Sequence, residues 1–132
     1  MYTEIEDFLR KMKIKQAAQP TLLDNDVMMK RYNHMFEELS EFSHSNNMSD
    51  LDGCVDALID LVYVALGTAS MMGLSEDHWE DCFERVHLAN MEKRAVQDKD
   101  GHKFGVEKPE GWEAPSFKGI LPQEDEYPIG ED

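Results

Sequence analysis

The chain has 132 residues, enough for one domain that buries roughly two-thirds of its unfolded surface without disulfides. Its 28 acidic residues against 13 Lys and Arg leave a formal charge of −15, which argues against the basic patch that nucleic-acid binding needs. Cys54 and Cys82 stand alone, with no Cys-x-x-Cys spacing, so reduced thiols and a cytoplasmic location are expected. The first thirty residues lack a signal-peptide core and no apolar run of membrane-spanning length is evident, so no membrane partner is expected.

Thr3-Glu-Ile-Glu6 reads as a capping box. It opens a helix with Ile5, Phe8, Leu9 and Met12 at helical spacing, fading before Pro20. Asp24 or Asn25 caps a second helix, whose apolar positions include Val27, Met28, Met35, Leu39 and Phe42 and which ends between His44 and Asn47. Ser49 is the expected cap of a third helix, with Asp50 and Asp52 in its first turn and Gly73 as its left-handed stop. Gly67 lies inside that helix, at a cost of about 1 kcal/mol against Ala, so a neighbour is expected to need the space.

Ser75 opens a fourth helix expected to run to about Ala95. Its stripe of Trp79, Phe83 and Val86 turns polar at Asn90 and Lys93. Either the helix end borders a site, or Lys93 and Arg94 simply complement the helix dipole. Asp100-Gly101 is a hairpin turn signal, Lys108 to Pro115 is turn-rich and irregular, and Gln123 to Asp132 is an acidic tail or arm. The expected fold is therefore all-α: an antiparallel bundle of about four helices with a short C-terminal hairpin and an irregular extension. Residues 1–116 form the domain and 117–132 the tail.

The chemistry concentrates between Glu37 and Tyr63. Glu37 and Glu38 lie four and three residues before Glu41 on the second helix, and Asp56 and Asp60 lie four apart on the third. Folded back antiparallel, the two helices bring these acids face to face. Two carboxylates about 5 Å apart repel by roughly 3 kcal/mol at an effective dielectric near 20. The acids must then take up protons, turn into water, or hold a cation. Asp56 and Asp60 sit among Val55, Leu58, Ile59, Leu61 and Val62, where unpartnered charge is expensive. An all-oxygen cluster suits a hard cation such as Mg²⁺.

These motifs carry a resemblance. Glu37-Glu38-x-x-Glu41, Asp60-Leu-Val-Tyr63, Asn90-Met-x-Lys93, Asp100-Gly101 and Lys108-Pro-Glu-Gly-Trp112-Glu-Ala-Pro115 occur in that order. Over residues 20 to 116 the chain resembles the MazG-like, all-α nucleoside triphosphate pyrophosphohydrolases, a superfamily that includes phosphoribosyl-ATP pyrophosphohydrolase. It departs from the pattern at Ala57, where the family has a glutamate three residues before Asp60. Asp56 is the nearest replacement, and the number of metals bound is left open.

The resemblance implies hydrolysis of a nucleoside triphosphate between the α and β phosphates, giving a monophosphate and pyrophosphate. It implies Mg²⁺, or alternatively Mn²⁺, held by Glu38, Glu41, Asp56 and Asp60, with Glu37 or one of the ligand acids orienting water. Lys93, together with Arg31 and Lys108, would meet the triphosphate, and Asn90 would bond phosphate or sugar. His34, Tyr63 and Trp112 are candidates for base contact, with packing as the alternative role for each. A homodimer or homotetramer is expected.

Two other classes compete. Glu41-x-x-His44 and Glu84-x-x-His87, with Glu6 and Asp60, match by count a ferritin-like di-iron bundle. That reading puts His44 at a helix end and leaves Glu37 and Glu38 without a role. A non-enzymatic acidic mimic of nucleic acid fits the charge but not the apolar surroundings of Asp56 and Asp60.

Overall fold

The computed structural model describes residues 1–96 and 105–126. It contains helices α1 (Tyr2–Lys11), α2 (Asn25–Asn47), α3 (Leu51–Met71) and α4 (Glu76–Met91). Strands β1 (Arg94–Val96) and β2 (Gly105–Glu107) follow, then a 3-10 turn at Glu124–Glu126. The expected helical class and the C-terminal hairpin are both present. The strands are antiparallel, with Arg94 opposite Glu107 and Val96 opposite Gly105. The Asp100-Gly101 turn and the tail beyond residue 126 lie outside the described residues.

Three boundaries differ from the sequence reading. Thr3 is not the cap of α1 but lies within it, its hydroxyl donating to Glu76 at 2.8 Å. The Met1 nitrogen instead donates to Glu4 at 2.9 Å. At α3 the cap is Asp50, whose carboxylate accepts from the Gly53 N–H at 3.0 Å, while Ser49 occupies the left-handed region at φ 57°. An aspartate can close the first turn from there, and Ser49 is spent on reversing the chain. Helix α4 ends at Met91, short of Ala95, because residues 94–96 take the β1 ladder instead.

Helices α2 and α3 form an antiparallel hairpin. A Cβ on Gly53 would meet Ser45 Oγ, and one on Gly67 would meet the Arg31 guanidinium. Both pairs are equidistant from the turn, and so are Glu38 and Asp60. Helix α1 packs on the other end of α3, where Tyr2, Ile5, Leu66 and Ala69 form the core with Leu74 and Trp79 against it. The Tyr2 hydroxyl donates to the Leu74 carbonyl at 2.6 Å, and its ring stacks on Trp79 at 6.2 Å. Burial, then the nearby Glu6 charge, push the Tyr2 phenol up to about 12. Gly73 stops the helix as expected, at φ 87°, where a Cβ would also collide with the Gln19 carbonyl.

Helix α3 corrects the expectation of no membrane-length segment. By length and composition alone it is apolar enough to cross a bilayer, with a mean hydropathy of 1.6. Packing covers only part of that surface: α1 and α2 both lie on α3, while Val55, Leu58, Ile59 and Val62 stay exposed in the single chain.

Candidate active site

The spacing of Arg31, His34, Glu38 and Glu41 puts them along one stripe of α2. Glu38 is the centre. Its side chain is only 12% exposed, and Oε1 lies 3.6 Å from His34 Nε2, itself 48% exposed. The other oxygen, Oε2, is buried and has no hydrogen-bond partner. Burial, followed by the negative charges of Glu41 and Asp60, pushes the Glu38 pKa up, and His34 opposes this weakly. The predicted meeting of acids from the two helices therefore occurs around Glu38, with Asp60 supplied by α3.

An orphaned buried carboxylate oxygen facing two further acids is a site short of positive charge. Oxygen donors of this kind fit Mg²⁺ or Mn²⁺. As they stand, no three His, Cys, Asp or Glu side chains among the described residues form a ready chelate.

The surroundings of Asp56 overturn one step of the sequence argument. Asp56 is exposed, and so are Val55, Leu58, Ile59 and Val62 around it in the single chain. Burial among apolar neighbours is thus not what constrains this acid. Ala57, at the family's glutamate position, is 1% exposed on the packed side of α3, and the hairpin register sets it opposite Glu41. Glu37 is exposed on α2.

Three more of the expected site residues gather at the end of α4. The Trp112 indole N–H donates to the Ala89 carbonyl at 2.9 Å. Lys93 Nζ and Lys108 Nζ each lie 4.9 Å from the centre of the Trp112 ring. One aromatic platform therefore holds two cations in a chain that is otherwise strongly acidic. Asn90 is exposed on the last turn of α4 nearby in sequence. Arg85 fastens the segment that follows, donating to the carbonyls of Ser116 and Lys118 at 2.8 Å. These bonds fall on both sides of the expected boundary at residue 116.

Of the candidates for base contact, Tyr63 packs edge-on against Phe8 at 5.5 Å, His34 pairs with Glu38, and Trp112 carries the two lysines. The Arg31 guanidinium turns toward α3, donating to the Thr68 hydroxyl and to the Val64 carbonyl, both at 3.0 Å. Thr68 and Val64 were not singled out from sequence. The signal was Gly67, whose missing side chain makes room for that guanidinium. Glu84 and His87, required by the di-iron reading, are exposed on α4.

A helical hairpin with acids converging across it, beside a separate pair of lysines over one indole, is the frame of this all-α protein. A family model for phosphoribosyl-ATP pyrophosphohydrolase matches residues 5–90, and the chain belongs to that family, within the MazG-like superfamily. It is accordingly a hydrolase, a nucleotide pyrophosphohydrolase in the general sense. Members of the family are typically dependent on divalent metals. No curated protein matches the chain.

Proposed function

We propose that the protein hydrolyses a nucleoside triphosphate at the α–β anhydride, releasing a nucleoside monophosphate and pyrophosphate. Phosphoribosyl-ATP, named by the matching family, is one candidate substrate. The observation that carries the reading is the buried, unpartnered Oε2 of Glu38, set against Glu41 and Asp60. Glu38, Glu41 and Asp60 would hold Mg²⁺ or Mn²⁺, with Asp56 as a further ligand one turn away. When bound, the cation would offset charge on phosphoryl oxygens and lower the pKa of a water, so that it can lose a proton and act as the nucleophile.

The chain's own groups do the rest. Glu37, exposed beside Glu38, orients the attacking water. Lys93 and Lys108, held over Trp112, offset the triphosphate charge that a −15 chain otherwise repels. Asn90 donates to phosphate or sugar. The protein acts as a homo-oligomer in the cytoplasm. Supporting this, Met29, Tyr32, Phe36 and Leu39 recur on one face of α2 and remain exposed in the single chain, as do Val55, Ile59 and Val62 on α3.

A panel of the common nucleoside triphosphates, dUTP and phosphoribosyl-ATP, assayed with Mg²⁺, Mn²⁺ or EDTA, tests the reaction. Pyrophosphate released with the metals and abolished by EDTA is expected. Orthophosphate as the first product would place cleavage at the γ position and contradict the proposal.

A further inference from the structure

Arg31 is oriented in a way that a substrate-binding role does not require. Its Nε donates to Thr68 Oγ1 and its Nη2 to the Val64 carbonyl. That carbonyl already accepts from the Thr68 hydroxyl at 2.7 Å, so three groups close a small network spanning two helices. Arg31 is half-buried, and burial lowers its pKa, but a guanidinium stays charged. A planar fork donating to a helix carbonyl fixes both the distance and the rotation between helices.

Gly67 completes the arrangement. A Cβ there would sit 2.9 Å from Arg31 Nη2, against the far end of a flexible side chain rather than backbone. The glycine therefore leaves the room the guanidinium occupies, and a side chain there would make the guanidinium shift, while the helix φ carries no strain at this position. Arg31 lies two helical turns before Glu38 on the same stripe, and Val64 lies one turn after Asp60. Sliding or rotating α2 against α3 would separate Glu38 from Asp60, and the network opposes both motions.

We propose that Arg31, seated by Gly67 and anchored to Thr68 and the Val64 carbonyl, is a positioning residue that locks the α2–α3 register and so sets Glu38 opposite Asp60. The inference rests on the metal-binding reading of those acids. It assigns Arg31 to the support of the cation site rather than to the triphosphate.

Calorimetric titration of the full chain with Mn²⁺ alone tests it, with thermal unfolding run in parallel. The variants are Gly67→Ala, Thr68→Val, Arg31→Lys and, as a reference, Glu38→Gln. Gly67→Ala is the most informative, because alanine is the better helix former yet displaces the guanidinium. Mn²⁺ affinity should fall about tenfold or more in Gly67→Ala and Thr68→Val, the range for groups that orient ligands, with the melting temperature of Gly67→Ala held near the wild type. Arg31→Lys, which keeps the charge but loses the fork, should not restore affinity. Wild-type Mn²⁺ affinity in Gly67→Ala and Thr68→Val would overturn the inference, whether or not their stability changed. So would a raised nucleotide KM in Arg31→Lys at unchanged Mn²⁺ affinity, since that would make Arg31 a substrate ligand. Equal Mn²⁺ affinity in the wild type and Glu38→Gln would remove the metal reading itself, a failure that the reference variant separates from failure of the lock.

Discussion

Glu38 ties stability to function at the scale of one residue. Its carboxyl ionises near 4.5 when unfolded, and burial together with Glu41 and Asp60 raises that value in the fold. A raised folded pKa means that stability is complete below the unfolded value and declines as pH rises through the folded one. In EDTA, Glu38→Gln should match the wild type near about pH 4 and become the more stable protein as pH rises past the folded pKa, since glutamine never ionises. Urea unfolding of both proteins across this range would show it, and a difference independent of pH would contradict the assigned burial. Adding a divalent cation should reverse the order, because it compensates the wild-type carboxylate and not the amide.

The elements follow from local chemistry in most places. Ser75 caps α4 as the sequence indicated: its hydroxyl accepts from the His78 N–H at 3.1 Å, and the Ser75 N–H donates back to His78 Nδ1 at 3.0 Å. Ser75→Ala should therefore cost about 1 kcal/mol of unfolding free energy, read from thermal melts followed by circular dichroism; a change below the error of the melt would mean that tertiary packing alone sets the start of α4. Gly73 was equally legible, because a left-handed stop needs it. The misread boundaries had competing local choices. Asp50 and Ser49 are adjacent cap formers, and only the reversal at Ser49 decides between them. Arg94 to Val96 could continue a helix, and it is the long-range partner at 105–107 that makes them a strand. At the site, helical period put Glu38 and Glu41 on one stripe, but it did not separate Glu38 from Glu37, which is exposed. The inward turn of Arg31 was not legible, because no pattern states which way a long side chain points.

For the whole molecule, the unfinished feature is the apolar surface. Helix α2 has no fully buried residue, and Phe36 is 58% exposed in the middle of it. Of the apolar positions the sequence marked on it, Val27, Met35 and Phe42 are half-buried, while Met28 and Leu39 are exposed. What periodicity could not distinguish was the side facing α3 from the side left exposed in the single chain, since both are apolar. If copies of the chain cover that surface, light scattering should give a mass of two or four chains, and Phe36→Glu should shift it toward one. A wild type that is monomeric at micromolar concentration would contradict the proposed oligomer. The net charge of −15 further implies that substrate approach improves with added salt, until the lysines at Trp112 are themselves screened.

The proposed chemistry is hydrolysis of a nucleotide anhydride by the acids gathered at Glu38 with a divalent cation. The most direct measurement compares pyrophosphate release by the wild type and Glu38→Gln, on the best substrate of the panel with saturating Mg²⁺. Loss of turnover by more than about a hundredfold, beyond what removing an outer supporting group costs, with the melting temperature retained, is the predicted result. Comparable pyrophosphate release by the two folded proteins would contradict the account at its centre.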